Sequence, residues 1–407
     1  MTREELKKEA VSLIANNHRV NLSWGTSVGK SAAAIDMVNS KIASFTNVHP
    51  GKKFRLLVIV AEIAHKKNWI EQFETWKLKD CDYTIECYAS LKKYMHTVWD
   101  FIIYDEAHHL KSPRRLEYIC TCRATDIVLL SATLPPETLG YIESVYGKFA
   151  TSKVSLQASI EAGILPEPKI KLLRMHLDNV SYICTITEKW GKGKTKPVEL
   201  TCTYNQRFVY LKQKKQIPDG ILHIKCTQQQ KYDSICEKFE YWKERYMNNH
   251  EAFAKNLWML AGAERKRFLG SLKTKALCTL IPTLEGKRYI CFCSDIDQAN
   301  ILGRRNAVHS KMRNAQHVIA EFNAGKRDKL FAVNMLQEGM NLKGIEVGVI
   351  TQLDACERGY LQKFGRILRS SEPIVYVLYY ENTRDEAFLE NVLNGIDKKY
   401  IEYEDYD

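Results

Sequence analysis

V-N-L-S-W-G-T-S-V-G-K-S, residues Val20 to Ser31, reads as a short apolar strand, a turn of small residues and the first turn of a helix. That is the layout of a phosphate-binding loop. In such a loop Gly25, Thr26, Ser27, Val28 and Gly29 turn backbone N–H groups toward an anion at the positive end of the following helix, Lys30 reaches the β- and γ-phosphates, and the Ser31 hydroxyl meets Mg²⁺. The stretch departs from the usual pattern at Trp24, where a small residue is expected, and at Ser27, where glycine is common. A Gly-Lys-Ser tripeptide at a helix start is also an ordinary turn, so the choice between the two rests on what lies downstream.

The 407-residue chain is 45% hydrophobic and 27% charged, enough for two globular domains. Its net charge of +12 points to a polyanionic partner, and the basic residues are spread along the chain rather than gathered in a tail, which favours a binding face. The twelve cysteines include the C-x-C pairs Cys120/Cys122 and Cys291/Cys293 but no Cys/His cluster at zinc spacing. They read as reduced core residues of a cytoplasmic protein. The first residues are charged where a signal peptide is apolar, and no run is long enough to cross a membrane, so no membrane partner is expected.

Thr2 and Glu5 have capping-box spacing ahead of a helical pattern at Leu6, Ala10, Leu13 and Ile14. Leu56–Val60, Thr84–Tyr88, Phe101–Tyr104 and Ile127–Leu130 read as strands, the first a continuous apolar run of the kind buried on both faces. An amphipathic stretch with Trp69, Phe73 and Trp76 follows the first of them. Alternating strands and helices imply a doubly wound parallel α/β sheet. At the end of the Phe101–Tyr104 run stand Asp105-Glu106-Ala107-His108. Ligands of open parallel sheets bind at the carboxyl ends of strands, so Asp105 is placed to hold Mg²⁺ through water and Glu106 to orient or deprotonate an attacking water. The alternative, a solvated acidic turn, loses ground because four apolar residues lead straight into the pair and a Gly-Lys-Ser loop precedes it. The Ile127–Leu130 strand ends in Ser131-Ala132-Thr133, whose hydroxyls, with His108, are candidates for coupling the nucleotide to the second half of the molecule.

A phosphate loop, then D-E-A-H, then S-A-T, in this order, resembles the first RecA-like domain of a superfamily 2 helicase. In the second half, Lys287–Ser294 looks like the opening strand of the second RecA-like domain, Phe331–Leu342 like motif V and Gln362–Arg369 like motif VI. The resemblance implies two RecA-like domains with ATP and Mg²⁺ in the cleft between them. It also implies that Gly339 and Asn341 contribute to the nucleotide site and that Gln362, Arg366 and Arg369 complete it. Arg366 and Arg369, three apart on one helical face, would present two guanidinium groups to a γ-phosphate held by the other domain. Asn68-Trp69, Tyr88–Leu91, Lys111 and Glu338–Leu342 look most like Swi/Snf-type translocases and phage recombination helicases. Lys363 stands where motif VI usually has arginine, and the adenine-reading glutamine common in such helicases has no counterpart in the first helix.

Pro166 to Pro168 mark a linker. The expected organisation is a first domain over 1–165, a second over 166–385 and a C-terminal tail over 386–407, whose acidic end Glu402–Asp407 is expected to fray. Within the second domain, Tyr182–Thr187 and Val198–Tyr204 read as the two strands of a β-hairpin, within about 180–215, around the tip Trp190-Gly-Lys-Gly-Lys-Thr-Lys196. Trp190, Lys192, Lys194 and Lys196 are then candidates for nucleic-acid contact, against the alternative of a solvated loop. A helical insertion is expected over about 226–285, with Ile235, Phe239, Trp242 and Tyr246 on one face. The function implied is nucleic-acid-stimulated ATP hydrolysis coupled to translocation or strand separation, with DNA the expected polymer. The alternatives are an RNA helicase, the motor subunit of a restriction or remodelling machine, and a nucleotide-dependent nucleic-acid-binding module without turnover.

Overall fold

The computed structural model describes residues 1–213, 216–333, 342–353, 364–365, 367–393 and 396–406, apart from the side chains of 211–213. Of the expected site residues, Gly339, Asn341, Gln362 and Arg366 lie outside the described residues. The chain forms two compact units. One comprises 1–172, 282–377 and 387–404, the other 173–281, 378–386 and 405–407.

The first unit opens with helix α1 (Arg3–Asn16), which starts where the sequence places it. The Glu5 N–H donates to Thr2 Oγ1 at 3.2 Å and the Thr2 N–H to Glu5 Oε2 at 2.7 Å, closing the capping box. Strands β1 (Arg19–Trp24), β2 (Arg55–Val60), β3 (Asp82–Cys87), β4 (Val98–Asp105), β5 (Arg123–Ser131) and β6 (Ala150–Val154) form a sheet of order β3-β2-β4-β5-β1-β6. Every pairing in it is parallel. Parallel neighbours need crossover helices that cover both faces, which is why the central strands are apolar along their length. Leu56–Val60, Phe101–Tyr104 and Ile127–Leu130 are fully buried. The order places β5 between β1 and β4, so the segments leaving these three strands emerge side by side at the carboxyl edge.

A second sheet has the order β12-β13-β11-β14-β15-β7-β16, built from β7 (Lys169–Met175), β11 (Tyr289–Phe292), β12 (Ala307–Val308), β13 (Lys329–Ala332), β14 (Val347–Ile350), β15 (Ile374–Tyr380) and β16 (Ile401–Asp405). Its five strands from β12 to β15 pair in parallel. The acidic tail does not fray as expected. It is the edge strand β16, beside β7. The reason is charge matching between the two strands: Lys169 meets Glu402 at 3.0 Å, Lys171 meets Glu404 at 3.7 Å and Arg174 meets Asp405 at 2.6 Å. The cysteines are free among the described residues. Cys122, Cys291 and Cys293 are buried, whereas Cys120 is exposed rather than in a core.

In the second unit, strands β8 (Cys184–Trp190), β9 (Val198–Thr203) and β10 (Gly220–Cys226) make a three-stranded sheet of order β8-β10-β9. The expected β8–β9 hairpin does not form. Strand β10 lies between the two, antiparallel to β8 and parallel to β9. The helical insertion is present as two helices, Gln228–Asn249 and Ala252–Leu280. Phe239 and Tyr246 of the first stack near Trp258 of the second, each with ring centroids 5.9 Å apart.

The long second helix is tied to the start of the helix Arg384–Leu393 by a buried ion pair, Lys273 Nζ to Asp385 Oδ2 at 2.6 Å, with the side chains 1% and 7% exposed. Burial holds the Lys273 ammonium below its ordinary pKa against the pull of Asp385. Removing one partner strands the other charge in a dry site, at a cost of about 3–5 kcal/mol. Asp385→Ala is therefore expected to lower the unfolding free energy read from a urea titration by an amount of that order, and an unchanged free energy would show the pair to be energetically idle.

Candidate nucleotide site

Helix α2 (Lys30–Val48) follows β1 after the five-residue turn 25–29. Gly29, its N-cap, has φ 116° and Ser27 has φ 66°. Both are left-handed values, costless for glycine and unusual for serine, and together they curl the loop around its own N–H groups. The N-cap of α2, Gly29, has no side chain to cap it, and the first N–H groups of such a helix are donors suited to an anion. Lys30 Nζ folds back onto the loop, donating to Trp24 O at 2.9 Å and Gly25 O at 3.3 Å. Loss of hydration lowers the pKa of this half-buried ammonium, while Glu106 and Asp105 pull it up. Ser31, half-buried, opens the helix beside it.

The two departures from the usual loop pattern have structural explanations. Trp24 is 0% exposed and its indole N–H donates to Ser152 Oγ on β6 at 2.9 Å, so the ring sits in the sheet core and not in the loop. Ser27 takes the backbone conformation glycine would take, and its hydroxyl donates to Gly365 O and accepts from Arg369 Nε at 3.1 Å. The second half of the chain thus meets the loop at the position where the loop is unconventional. Gly365 is itself required there, because a Cβ would stand 2.3 Å from Thr26 Cβ. Arg369 is aimed by its neighbours: Phe364, Ile367 and Leu368 are buried, and Ile367 Cδ1 fills the space a side chain on Gly348 of β14 would need.

Asp105 ends β4 and Glu106 follows it at φ 50°, a left-handed conformation that non-glycine residues keep only where the surroundings enforce it. Asp105 Oδ2 accepts from the Trp69 indole at 2.8 Å, and its backbone O accepts from the Tyr88 hydroxyl at 2.9 Å. Burial, then the neighbouring Glu106 charge, push the Asp105 carboxyl pKa up, opposed by the Trp69 hydrogen bond and by the nearby His65 and Lys30. His108 is 2% exposed. Its Nδ1 lies 3.3 Å from Glu106 Oε2 and 3.5 Å from Ser131 Oγ, and that hydroxyl donates to Thr133 O at 2.9 Å. Since the serine proton is already engaged, Nδ1 carries the proton and points it at Glu106. A chain of contacts therefore runs from Thr133 through Ser131 and His108 to Glu106.

The donor set fits a magnesium nucleotide. The loop offers uncapped helix N–H groups and a lysine that, without an anion, turns to its own carbonyls. Asp105 and Glu106 are adjacent, half-buried carboxylates, and a hard, oxygen-seeking cation would relieve their paired charge. Trp69, Tyr88 and His65 were not assigned to the site by sequence reasoning. Helical periodicity gave Trp69 a place on a buried face but no partner, because its partner lies 36 residues away. His65 is 4% exposed and its Nε2 has no hydrogen-bond partner among the described residues.

The lysine-rich segment of the second unit is placed differently from expectation. Trp190 is half-buried, its indole N–H donates to Ile217 O at 2.9 Å, and its ring lies where a Cβ on Gly220 would stand. The ring packs with Leu222, Ile224 and Cys202 and is not offered for stacking. Lys192, Lys194 and Lys196 are exposed.

Residues 272–371 match the family described as helicase conserved C-terminal domain. No curated protein matches the chain. Among solved structures it is similar to S. cerevisiae Dbp5 bound to RNA and ADP BeF3, at 12% identity and a TM-score of 0.56, covering 98% of this chain and 89% of that one. It is similar to the ATP-dependent Type ISP restriction-modification enzyme LlaBIII bound to DNA, at 11% identity and a TM-score of 0.56, covering 99% of this chain but 31% of that one. The Pyrococcus furiosus Hef helicase domain aligns at 11% identity with a TM-score of 0.50, over 95% of this chain and 96% of that one. The chain thus has two parallel-sheet α/β domains that match the RecA-like fold of these helicase structures, and its residues 272–371 match the helicase conserved C-terminal domain.

Proposed function

We propose that this protein is an ATP-driven nucleic-acid motor that tracks along or separates strands, with DNA as its polymer and a role in phage or bacterial replication, recombination or repair. The observation that carries this reading is the convergence of Lys30, the Asp105–Glu106 pair and the His108–Ser131 relay at the carboxyl edge of one sheet, with Arg369 on the same loop. Gly25 to Gly29 and the α2 N-terminus hold the phosphates, and Lys30 leaves its carbonyl partners for the β- and γ-oxygens. Ser31 and Asp105 would hold Mg²⁺, which when bound would neutralise charge on the phosphate oxygens. Glu106 orients the attacking water and takes its proton, and His108 reports the protonation of Glu106 to Ser131 and Thr133. Arg369, with Arg366 and Gln362, stabilises charge at the γ-phosphate from the second domain, where Gly339 and Asn341 complete the pocket. Opening and closing as nucleotide is bound and hydrolysed moves the protein along its strand.

The domain limits of 1–165 and 166–385, the kinship with Swi/Snf-type and phage recombination helicases, and the cytoplasmic setting belong to the same proposal. The similarity to both an RNA-bound and a DNA-bound protein makes the polymer the first quantity to measure. ATP hydrolysis assayed with single-stranded DNA, duplex DNA, forked DNA and RNA is expected to rise most with a DNA substrate. Stimulation by RNA alone would make it an RNA motor, and hydrolysis indifferent to all four would overturn the motor reading.

A further inference from the structure

The three-stranded sheet of the second unit has two unlike faces. One carries Trp190, Leu222, Ile224 and Cys202 into a small core. The other shows Thr185, Thr187 and Lys189 from β8, Lys225 from β10, and Glu199 and Thr201 from β9, all exposed, with half-buried His223 of β10 lying 3.9 Å from the Glu199 carboxylate. The registers place them as one surface: Lys225 lies opposite Thr185, and His223 lies between Thr187 and Thr201. Lys189 and Lys225 are four positions apart on neighbouring strands, or about 14 Å at ~3.4 Å per residue and ~4.8 Å between strands. Over that span one strand of a duplex presents about four phosphates at ~3.4 Å each.

The loop at the Lys189 end is built, not slack. Asp219 is 5% exposed, and its carboxylate accepts from the Gly193 N–H at 2.8 Å, the Thr195 N–H at 2.7 Å and the Thr195 hydroxyl at 2.6 Å. These bonds hold its pKa below the usual carboxylate value, the Thr195 hydroxyl first. Gly191 and Gly193 have φ 106° and 66°, and a Cβ on Gly191 would stand 2.0 Å from Asp219 Oδ1, so only glycine lets the chain wrap this carboxylate. The acid is spent internally, and Lys192, Lys194 and Lys196 are held out in a preordered turn. With Lys189 and Lys225 they make five exposed lysines against one exposed carboxylate, Glu199.

We infer that this face and its loop bind the phosphate backbone of a nucleic-acid strand without reading its bases, an inference that rests on the motor reading above. Lysines and threonine hydroxyls are the side chains that contact phosphate and sugar. Base readout from a sheet uses exposed aromatics, and the aromatic of this loop, Trp190, is turned into the core.

The test is fluorescence anisotropy of the full chain with labelled oligonucleotides between 50 and 200 mM salt, comparing it with a variant carrying Lys→Gln at 189, 192, 194, 196 and 225. All five side chains are exposed, and a urea midpoint on each protein confirms that the fold is kept. The log–log salt slope is expected to become shallower by about 3.5 on single strands, five contacts at ~0.7 each, or by about 4.5 on duplex at ~0.9 each. Which arm changes, single-stranded DNA, RNA or duplex, identifies the strand that lies on the face. Oligo-dT and oligo-dA are expected to lose affinity equally, and a base-dependent loss would overturn backbone recognition. If the parent binds and the variant keeps its salt slope on every arm, this inference fails while the motor reading stands. If the parent binds no nucleic acid, both fall. Basal ATP hydrolysis without nucleic acid is expected to be unchanged, because none of the five residues belongs to the nucleotide site.

Discussion

Arg369→Ala protein is expected to turn over ATP about 10³-fold more slowly than the parent while binding nucleotide with nearly the same affinity. The expectation follows from where Arg369 stands. Buried Phe364, Ile367 and Leu368 fix its segment, and its guanidinium reaches Ser27 in the middle of the phosphate loop. A cation delivered there meets charge that grows at the γ-phosphate as the bond breaks, so its loss falls on the transition state and leaves ground-state binding alone. Arg369→Lys keeps the charge but cannot span Ser27 and the phosphate with a planar fork, so it is expected to recover little. Initial-rate ATPase together with equilibrium binding of a fluorescent nucleotide separates the two effects. A variant with parental turnover would place Arg369 among ordinary surface arginines.

Glu106→Gln is expected to abolish hydrolysis by a similar factor and to leave ATP bound. Glutamine keeps the size and the acceptor oxygen but cannot take a proton. The substitution also removes a negative charge beside the phosphate site, so affinity for the nucleotide anion should hold or improve, while the pull of the pair on Mg²⁺ is expected to weaken. Turnover near the parental rate in single-turnover phosphate release would rule out Glu106 as the base.

Much of this site could be read in the sequence because its parts are local. The capping box at Thr2, the apolar runs feeding Gly25 and Asp105, and the glycine at position 29 each announce themselves within a few residues. What escaped depends on partners far along the chain. Acidic residues at 402–405 look solvated until Lys169, Lys171 and Arg174 are set beside them, more than 230 residues earlier. The hairpin reading of β8 and β9 failed for a related reason. Two alternating runs around a glycine-rich turn favour direct pairing, and only the later β10, with glycine where the Trp190 ring must lie, displaces it. Trp24 and Ser27 looked like defects of the phosphate loop because sequence spacing does not say where a side chain points. Trp24 turns into the sheet, and Ser27 is the residue through which Arg369 and Gly365 meet the loop.

The coupling of nucleotide to strand is tested most directly by the affinity of Glu106→Gln protein for a single-stranded oligonucleotide at fixed salt, with saturating ATP and then with saturating ADP. If a γ-phosphate held between Arg369 and the phosphate loop changes the grip on the strand, the two affinities differ by about tenfold or more, a coupling of about 1.4 kcal/mol. Equal affinities in ATP and ADP would mean that the nucleotide site and the nucleic-acid surface do not communicate, and the chain would not be a motor.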